Sequence, residues 1–143
     1  TISLLFALYF VAVKKQLRFG LIMALLLIFG TRIPFFFDLP VLTTDFYRYL
    51  WDGMLMNEGI NPIGRIPIEQ NLYNFKDSEF AVRLLNNMNS GAYASIYPTF
   101  HQVVFAIAYF LGGPELLSGV NVMRGCIIVF ELFFFFAMMV ILM

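Results

Sequence analysis

Charged side chains are scarce in this sequence. Asp, Glu, Lys and Arg make up 13% of its 143 residues, whereas ordinary soluble domains carry about 25%. A soluble domain of this size needs more polar residues to cover its surface, so the composition argues against one. The net charge is zero, and no basic run is long enough for a nucleic-acid partner. Because Cys126 is the single cysteine, an internal disulfide is excluded.

Apolar residues are abundant and clustered. They make up 61% of the chain and form four nearly uninterrupted runs, at 1–13, 19–37, 97–111 and 120–143. About 20 apolar residues in a helix cross a hydrocarbon layer of about 30 Å, so the runs predict membrane spans. The expected fold class is all-α, a polytopic transmembrane helical bundle. Both ends of the chain fall inside apolar runs, and we expect a fragment of a longer protein.

The short link between the first two runs sets the expected orientation. It carries Lys14, Lys15 and Arg18, and short cytoplasmic loops are enriched in Lys and Arg. This link and the later turn 112–119 are therefore expected inside the cytoplasm. The long loop 38–96 is then extracytoplasmic.

That loop has the sequence signals of two amphipathic helices. Thr43 or Thr44 can cap a helix that begins at Asp45. It is expected to run to about Asn57, before the turn residues at 59–62. After Ser78, apolar residues recur at helical spacing, and such a helix beside membrane spans is expected on the bilayer interface. These apolar residues are Phe80, Leu84, Leu85 and Met88.

Four polar residues of the first loop helix share one face. Asp45, Arg48, Tyr49 and Asp52 stand at i, i+3, i+4 and i+7, which are neighbouring positions on a helix. One interpretation is a structural ladder in which the acids and the arginine satisfy each other and pin the loop to the spans. The other is a site that uses these groups for chemistry. The spacing alone leaves both open.

A second polar cluster lies where the third apolar run begins. Tyr97, His101 and Gln102 stand around Pro98, which suits the first position of a helix. An outward-facing helix N-terminus attracts anions such as phosphate. Alternatively, His101 and Gln102 only form hydrogen bonds to neighbouring helices.

Three charged residues lie inside apolar runs, where charges usually pair or face a cavity. Arg32 stands near the outer end of its run, from which it can reach the interface or the site. Arg124 is close to the cytoplasmic end of the last run and is interpreted as structural, whereas Glu131 lies deeper.

Two sequence segments resemble a known family. Residues 44–53, Thr-Asp-Phe-Tyr-Arg-Tyr-Leu-Trp-Asp-Gly, and 59–62, Gly-Ile-Asn-Pro, resemble the signature D-x-x-R-Y-x-W-D-G … G-x-N-P-Y. It belongs to bacterial membrane glycosyltransferases of the GT-C type, usually described as mannosyltransferases. Residues 96–98 with Gln102 look like the Y-P-P … Q element of that family. The chain departs from the pattern at Thr44, Ile63 and Thr99, where a second acid, Tyr and Pro are usual.

The resemblance implies a hexosyltransferase of the bacterial inner membrane whose site opens at the outer face. Its donor would be a polyprenyl-phosphate sugar, and its acceptor a hydroxyl group of a lipid or glycan. Asp45 would be the catalytic base of an inverting displacement. With few loop carboxylates, no metal or other cofactor is predicted. The substrate-binding residues would be Arg48, Tyr49, Trp51, Asp52, Asn61, Tyr97, His101, Gln102 and Arg32, of which Arg48 and Arg32 would stabilise the departing phosphate.

Other classes of membrane protein also fit the composition. A transporter or lipid-binding protein without catalytic activity would explain the spans and the buried charges. It would not explain an ordered, charged outer loop or the signature. A purely structural subunit explains less still.

Overall fold

The computed structural model describes residues 5–9, 18–70, 75 and 77–142. The chain divides into two compact units, Thr1–Asp38 and Leu39–Met143. Helices form nearly all the regular structure of the described residues, and the one bridge between extended residues, Ile63 with Ser95, does not grow into a strand. The expected all-α class is confirmed for this part of the chain.

The first unit has a broken helix where a continuous one was expected. Residues 5–9 are helical, helix α1 covers Arg18–Gly30, and a 3-10 helix follows at Ile33–Phe37. The prediction of one helix over 19–37 is therefore wrong in its second half. Pro34 is the physical reason, since it has no N–H for the Gly30 carbonyl and its ring would clash with that carbonyl. Lys14 and Lys15, which set the expected orientation, lie outside the described residues.

The described residues of the second unit form five helices. They are α2 Asp45–Asn57, α3 Pro67–Gln70, α4 Glu79–Asn87, α5 Thr99–Gly112 and α6 Leu116–Leu142. Helix α2 is central: it packs along α5 and also contacts α4 and α6, while α5 packs on α6. The long polar loop of the sequence is thus folded onto the apolar helices that follow it.

Helix α2 has the predicted bounds, and its ends show why. The N-cap residue is Thr44, whose side chain makes no capping hydrogen bond, and the preceding Thr43 hydroxyl accepts from the Asp45 N–H at 3.1 Å. At the other end Gly59 adopts a φ of +73°, and the Ile60 N–H donates to the Leu55 carbonyl at 2.8 Å. This is a Schellman ending, which needs a residue that tolerates positive φ. The turn signal at 59–62 is confirmed.

Helix α4 also forms as predicted, but its apolar face is buried against the rest of the protein. The Ser78 hydroxyl caps it by accepting from the Ala81 N–H. Ala81 and Leu84 are fully buried in the core that α2 supplies with Leu50 and Trp51. The expectation that this helix lies on the bilayer interface is therefore wrong for its apolar face, because the protein's own core already covers it.

Glycine permits the closest helix contact. A Cβ atom added at Gly53 of α2 would lie 2.1 Å from the carbonyl oxygen of Phe105 in α5. Beside this crossing, the Asn57 amide donates to the Ala106 carbonyl at 2.9 Å. Because Gly53 has no side chain, the backbones of α2 and α5 can pack directly against each other. This gives the glycine of the signature a structural role.

We expect Gly53→Ala to destabilise the protein by about 1–3 kcal/mol, the usual cost of overpacking. Gly125→Ala is the matched control, because a Cβ at Gly125 in α6 meets no atom within 4 Å. It should be neutral, or stabilising by up to about 1 kcal/mol, since alanine favours a helix. Thermal unfolding followed by circular dichroism measures both. Equal stability of the Gly53→Ala and wild-type proteins would contradict the close crossing.

One helix has the length and composition of a membrane span. Within the described residues it is Leu116–Met138 of α6, and 11% of its most apolar window is buried within the protein. The 14 residues of α5 reach only about 21 Å. The predicted turn 112–119 is too long, because Leu116–Gly119 is already helical. Arg124 donates to the Asn121 side chain at 2.8 Å, in keeping with its structural interpretation.

Candidate functional site

A buried polar network lies where α2, α5 and the segment before α5 meet. Its side chains are those of Arg48, Asp52, Ser95 and Gln102, all of them buried. Helix α2 supplies two of them one turn apart, and α5 supplies Gln102 from its first turn. The described chain thus brings together three of the predicted polar residues and one, Ser95, that was not predicted as a site residue.

Asp52 is the centre of this network. Its Oδ1 accepts from Arg48 Nε at 2.9 Å. Its Oδ2 accepts from the Ser95 hydroxyl at 2.5 Å and from Gln102 Nε2 at 3.1 Å. Gln102 Nε2 also donates to the Ser95 hydroxyl at 2.9 Å. A fully buried carboxylate with three donors is a strong structural anchor.

Arg48 extends the network to the backbone of the preceding loop. Its Nη1 donates to the carbonyls of Ser90 and Tyr93, at 2.9 and 2.8 Å. The side chain is 2% exposed, so Arg48 lies away from any open surface. The structural ladder considered from the sequence is therefore present as an Arg48–Asp52 pair, and Asp45 is not part of it.

Asp45 has a different environment although it shares the face. It is half-buried in the first turn of α2, and its carboxylate accepts no hydrogen bond from the described residues. Its close neighbour is Tyr49, whose pKa is raised by burial, by a hydrogen bond and electrostatic interaction with Tyr97, and by the charge of Asp45. Tyr49 therefore stays a neutral phenol at physiological pH.

Aromatic rings connect Asp45 with the start of α5. The Tyr49 ring stacks on Phe105 with centroids 4.6 Å apart, and Tyr97 contacts both rings edge-on at 5.3 and 5.5 Å. His101 is exposed in the first turn of α5, 6.4 Å from Phe105. Tyr97, His101 and Asp45 therefore border one aromatic cluster.

Of the remaining predicted residues, two lie outside this cluster, and the third belongs to the first unit. Trp51 is fully buried in the core against Phe75. Asn61 is exposed, and its side chain accepts from the Ile63 N–H within the turn. Arg32 belongs to the first unit, where it begins the 3-10 helix. Packing accounts for the Trp51 ring, although its indole N–H is buried without a hydrogen-bond partner among the described residues, and turn formation accounts for Asn61.

Ser95 and the carbonyls of Ser90 and Tyr93 are the parts that sequence reasoning missed. Ser95 opens the polar segment that ends at Gln102, and this position was its only signal. Backbone carbonyls have no side-chain signature at all. Their role depends on Arg48, which is 45 residues from Tyr93 along the chain.

Comparisons with known proteins add no family. No protein-family model matches the chain, and no curated protein or solved structure matches it either. Among the described residues, no group of three or more His, Cys, Asp and Glu side chains is arranged to hold a metal ion.

Proposed function

We propose that this chain is part of a GT-C type membrane glycosyltransferase. It transfers a sugar, mannose by the resemblance, from a polyprenyl phosphate to an acceptor hydroxyl of a lipid or glycan. The proposal places the chain in a multi-pass bundle of the bacterial inner membrane, with loop 38–96 on the outer face. The resemblance of residues 44–53 and 59–62 supports it, and the candidate span Leu116–Met138 among the described residues supports membrane association.

The proposal rests on the different environments of two carboxylates on one helix, Asp45 and Asp52. Asp52 is buried and has three hydrogen-bond donors. Asp45 is only half-buried, and its carboxylate accepts no hydrogen bond from the described residues. A base must reach the proton that it takes. Asp45 meets this requirement and Asp52 does not.

The reaction is then a single displacement. Asp45 takes the proton of the acceptor hydroxyl while the acceptor oxygen bonds to the anomeric carbon. The bond from that carbon to the phosphate oxygen breaks, so polyprenyl phosphate leaves with the electron pair. Attack from the face opposite the phosphate inverts the anomeric centre. Tyr49, a neutral phenol, is a hydrogen-bond donor near this reaction, not its base.

We place the departing phosphate at a different position from Arg48, which the sequence analysis assigned to it. Arg48 is committed to Asp52 and to two carbonyls, so we assign it to positioning. The first turn of α5 suits the departing phosphate better, because a helix N-terminus favours an anion and the exposed His101 lies beside it. Tyr97 and Tyr49 link that turn to Asp45.

Donor cleavage tests the function. Membranes containing the full-length protein are incubated with radiolabelled polyprenyl-phosphate mannose and an acceptor extract. A transferase yields free polyprenyl phosphate and an inverted glycoside. A transporter or lipid-binding protein leaves the donor intact, and that result would reject the proposal.

Orientation is tested separately. After Cys126→Ser, single cysteines are placed at Asp77 and Glu115, both exposed and predicted on opposite sides of the membrane. In intact cells the Asp77→Cys protein should react with an impermeant thiol reagent, and the Glu115→Cys protein should react only after permeabilisation. The reverse labelling pattern would show that loop 38–96 faces the cytoplasm and would contradict the proposed orientation.

A further inference from the structure

We propose that Tyr93 is a sugar-binding residue, an exposed aromatic ring held in place to stack on a pyranose ring of the substrate. This inference rests on the proposed function for its location beside a sugar-transfer site. It adds a residue that neither the signature nor the buried network includes.

The backbone of Tyr93 is held from inside the protein. Its carbonyl accepts from Arg48 Nη1 at 2.8 Å, and its N–H donates to the Ser90 carbonyl at 3.1 Å. Arg48 Nη1 also donates to that Ser90 carbonyl, so one guanidinium closes the turn. Two residues later Ser95 is fixed to Asp52. A buried ion pair therefore positions this surface turn.

The Tyr93 side chain, by contrast, is exposed to solvent. The residue is 71% exposed, and its side chain has no ring contact or hydrogen bond with any described residue. Its neighbours Asn89, Ala92 and Ala94 are exposed and small or polar. The fixed turn thus presents an exposed aromatic ring that no ring or hydrogen-bond contact from the described residues covers.

The chemistry of that face suits a sugar. A pyranose has a face of C–H groups and a rim of hydroxyl groups, while tyrosine offers an apolar ring and a polar tip. Tyrosine also loses little rotamer entropy on binding, and a fixed backbone reduces the ordering cost further. Arg48 stands three residues from Asp45, about 4.5 Å along the helix. Through the Arg48 guanidinium, which also pairs with Asp52, the Tyr93 backbone is tied to the face of α2 that carries both acids.

Saturation-transfer NMR on the detergent-solubilised full-length protein tests this inference, with methyl α-mannopyranoside as the probe. The wild-type protein should transfer saturation to the ring C–H protons. Tyr93→Phe should keep this signal, and Tyr93→Ala should weaken the affinity about 10-fold, the upper range for an aromatic contact. Ile96→Ala is the matched control, because Ile96 lies in the same segment and is 89% exposed but not aromatic. It should bind like wild type.

Two outcomes would overturn the inference. One is unchanged binding by Tyr93→Ala, as expected if the ring instead meets the membrane interface. The other is a wild-type protein that gives no signal with the probe. Its failure is separable from that of the proposed function, because donor cleavage is measured independently. Sugar binding that depends on Tyr93 without donor cleavage would reject the transferase and keep the sugar site.

Discussion

Replacing Asp52 with leucine should destabilise the protein by about 3–5 kcal/mol, the usual cost of breaking a buried ion pair. The substitution leaves the Arg48 guanidinium buried without its counter-charge. It also removes the acceptor of the Ser95 hydroxyl and one of the two acceptors of the Gln102 amide. Buried donors that lose their acceptors retain the full cost of desolvation. The loss should therefore exceed that of any exposed carboxylate.

A double-mutant cycle separates charge from packing. Arg48→Met alone should also be destabilising, but Arg48→Met with Asp52→Leu should be more stable than Asp52→Leu alone, because no unpaired charge remains. Glu79→Gln, at an exposed position of α4, is the control and should change stability by less than about 0.5 kcal/mol. Denaturant unfolding in detergent gives the four values. Strictly additive effects of Arg48→Met and Asp52→Leu would contradict a coupled pair.

Local signals in the sequence predicted local structure well. The bounds of α2 follow from Thr43 and Gly59, and the start of α4 follows from Ser78. The shared face of Arg48 and Asp52 follows from helical spacing alone. Each of these features is decided within a few residues, so tertiary packing had only to preserve it.

Features decided at long range were not predictable in the same way. Spacing could not say that Asp52 would be enclosed by Ser95 and Gln102, while Asp45, on the same face two turns away, would be only half-buried and outside the network. The break after Gly30 had a visible cause in Pro34, but hydropathy alone favoured one continuous span. Burial of the apolar face of α4 depends on which helix it meets.

The distinction between the two acids leads to the largest expected effect on activity. Asp45→Asn should reduce sugar transfer by about 10²–10⁴-fold, the usual contribution of a general base. Asparagine keeps the shape of the side chain but cannot accept the proton of the acceptor hydroxyl. Because Asp45 is only half-buried and lies outside the buried network, the stability of the protein should hardly change. Asp77→Asn, at an exposed position before α4, is the matched control and should be fully active.

The most direct measurement is therefore the turnover number at saturating donor, expressed per folded molecule, for the Asp45→Asn and Asp77→Asn proteins. The proposed mechanism predicts that Asp45→Asn is folded, melts near the wild-type temperature and transfers almost no sugar. Full sugar transfer by the folded Asp45→Asn protein would contradict the assignment of Asp45 as the base.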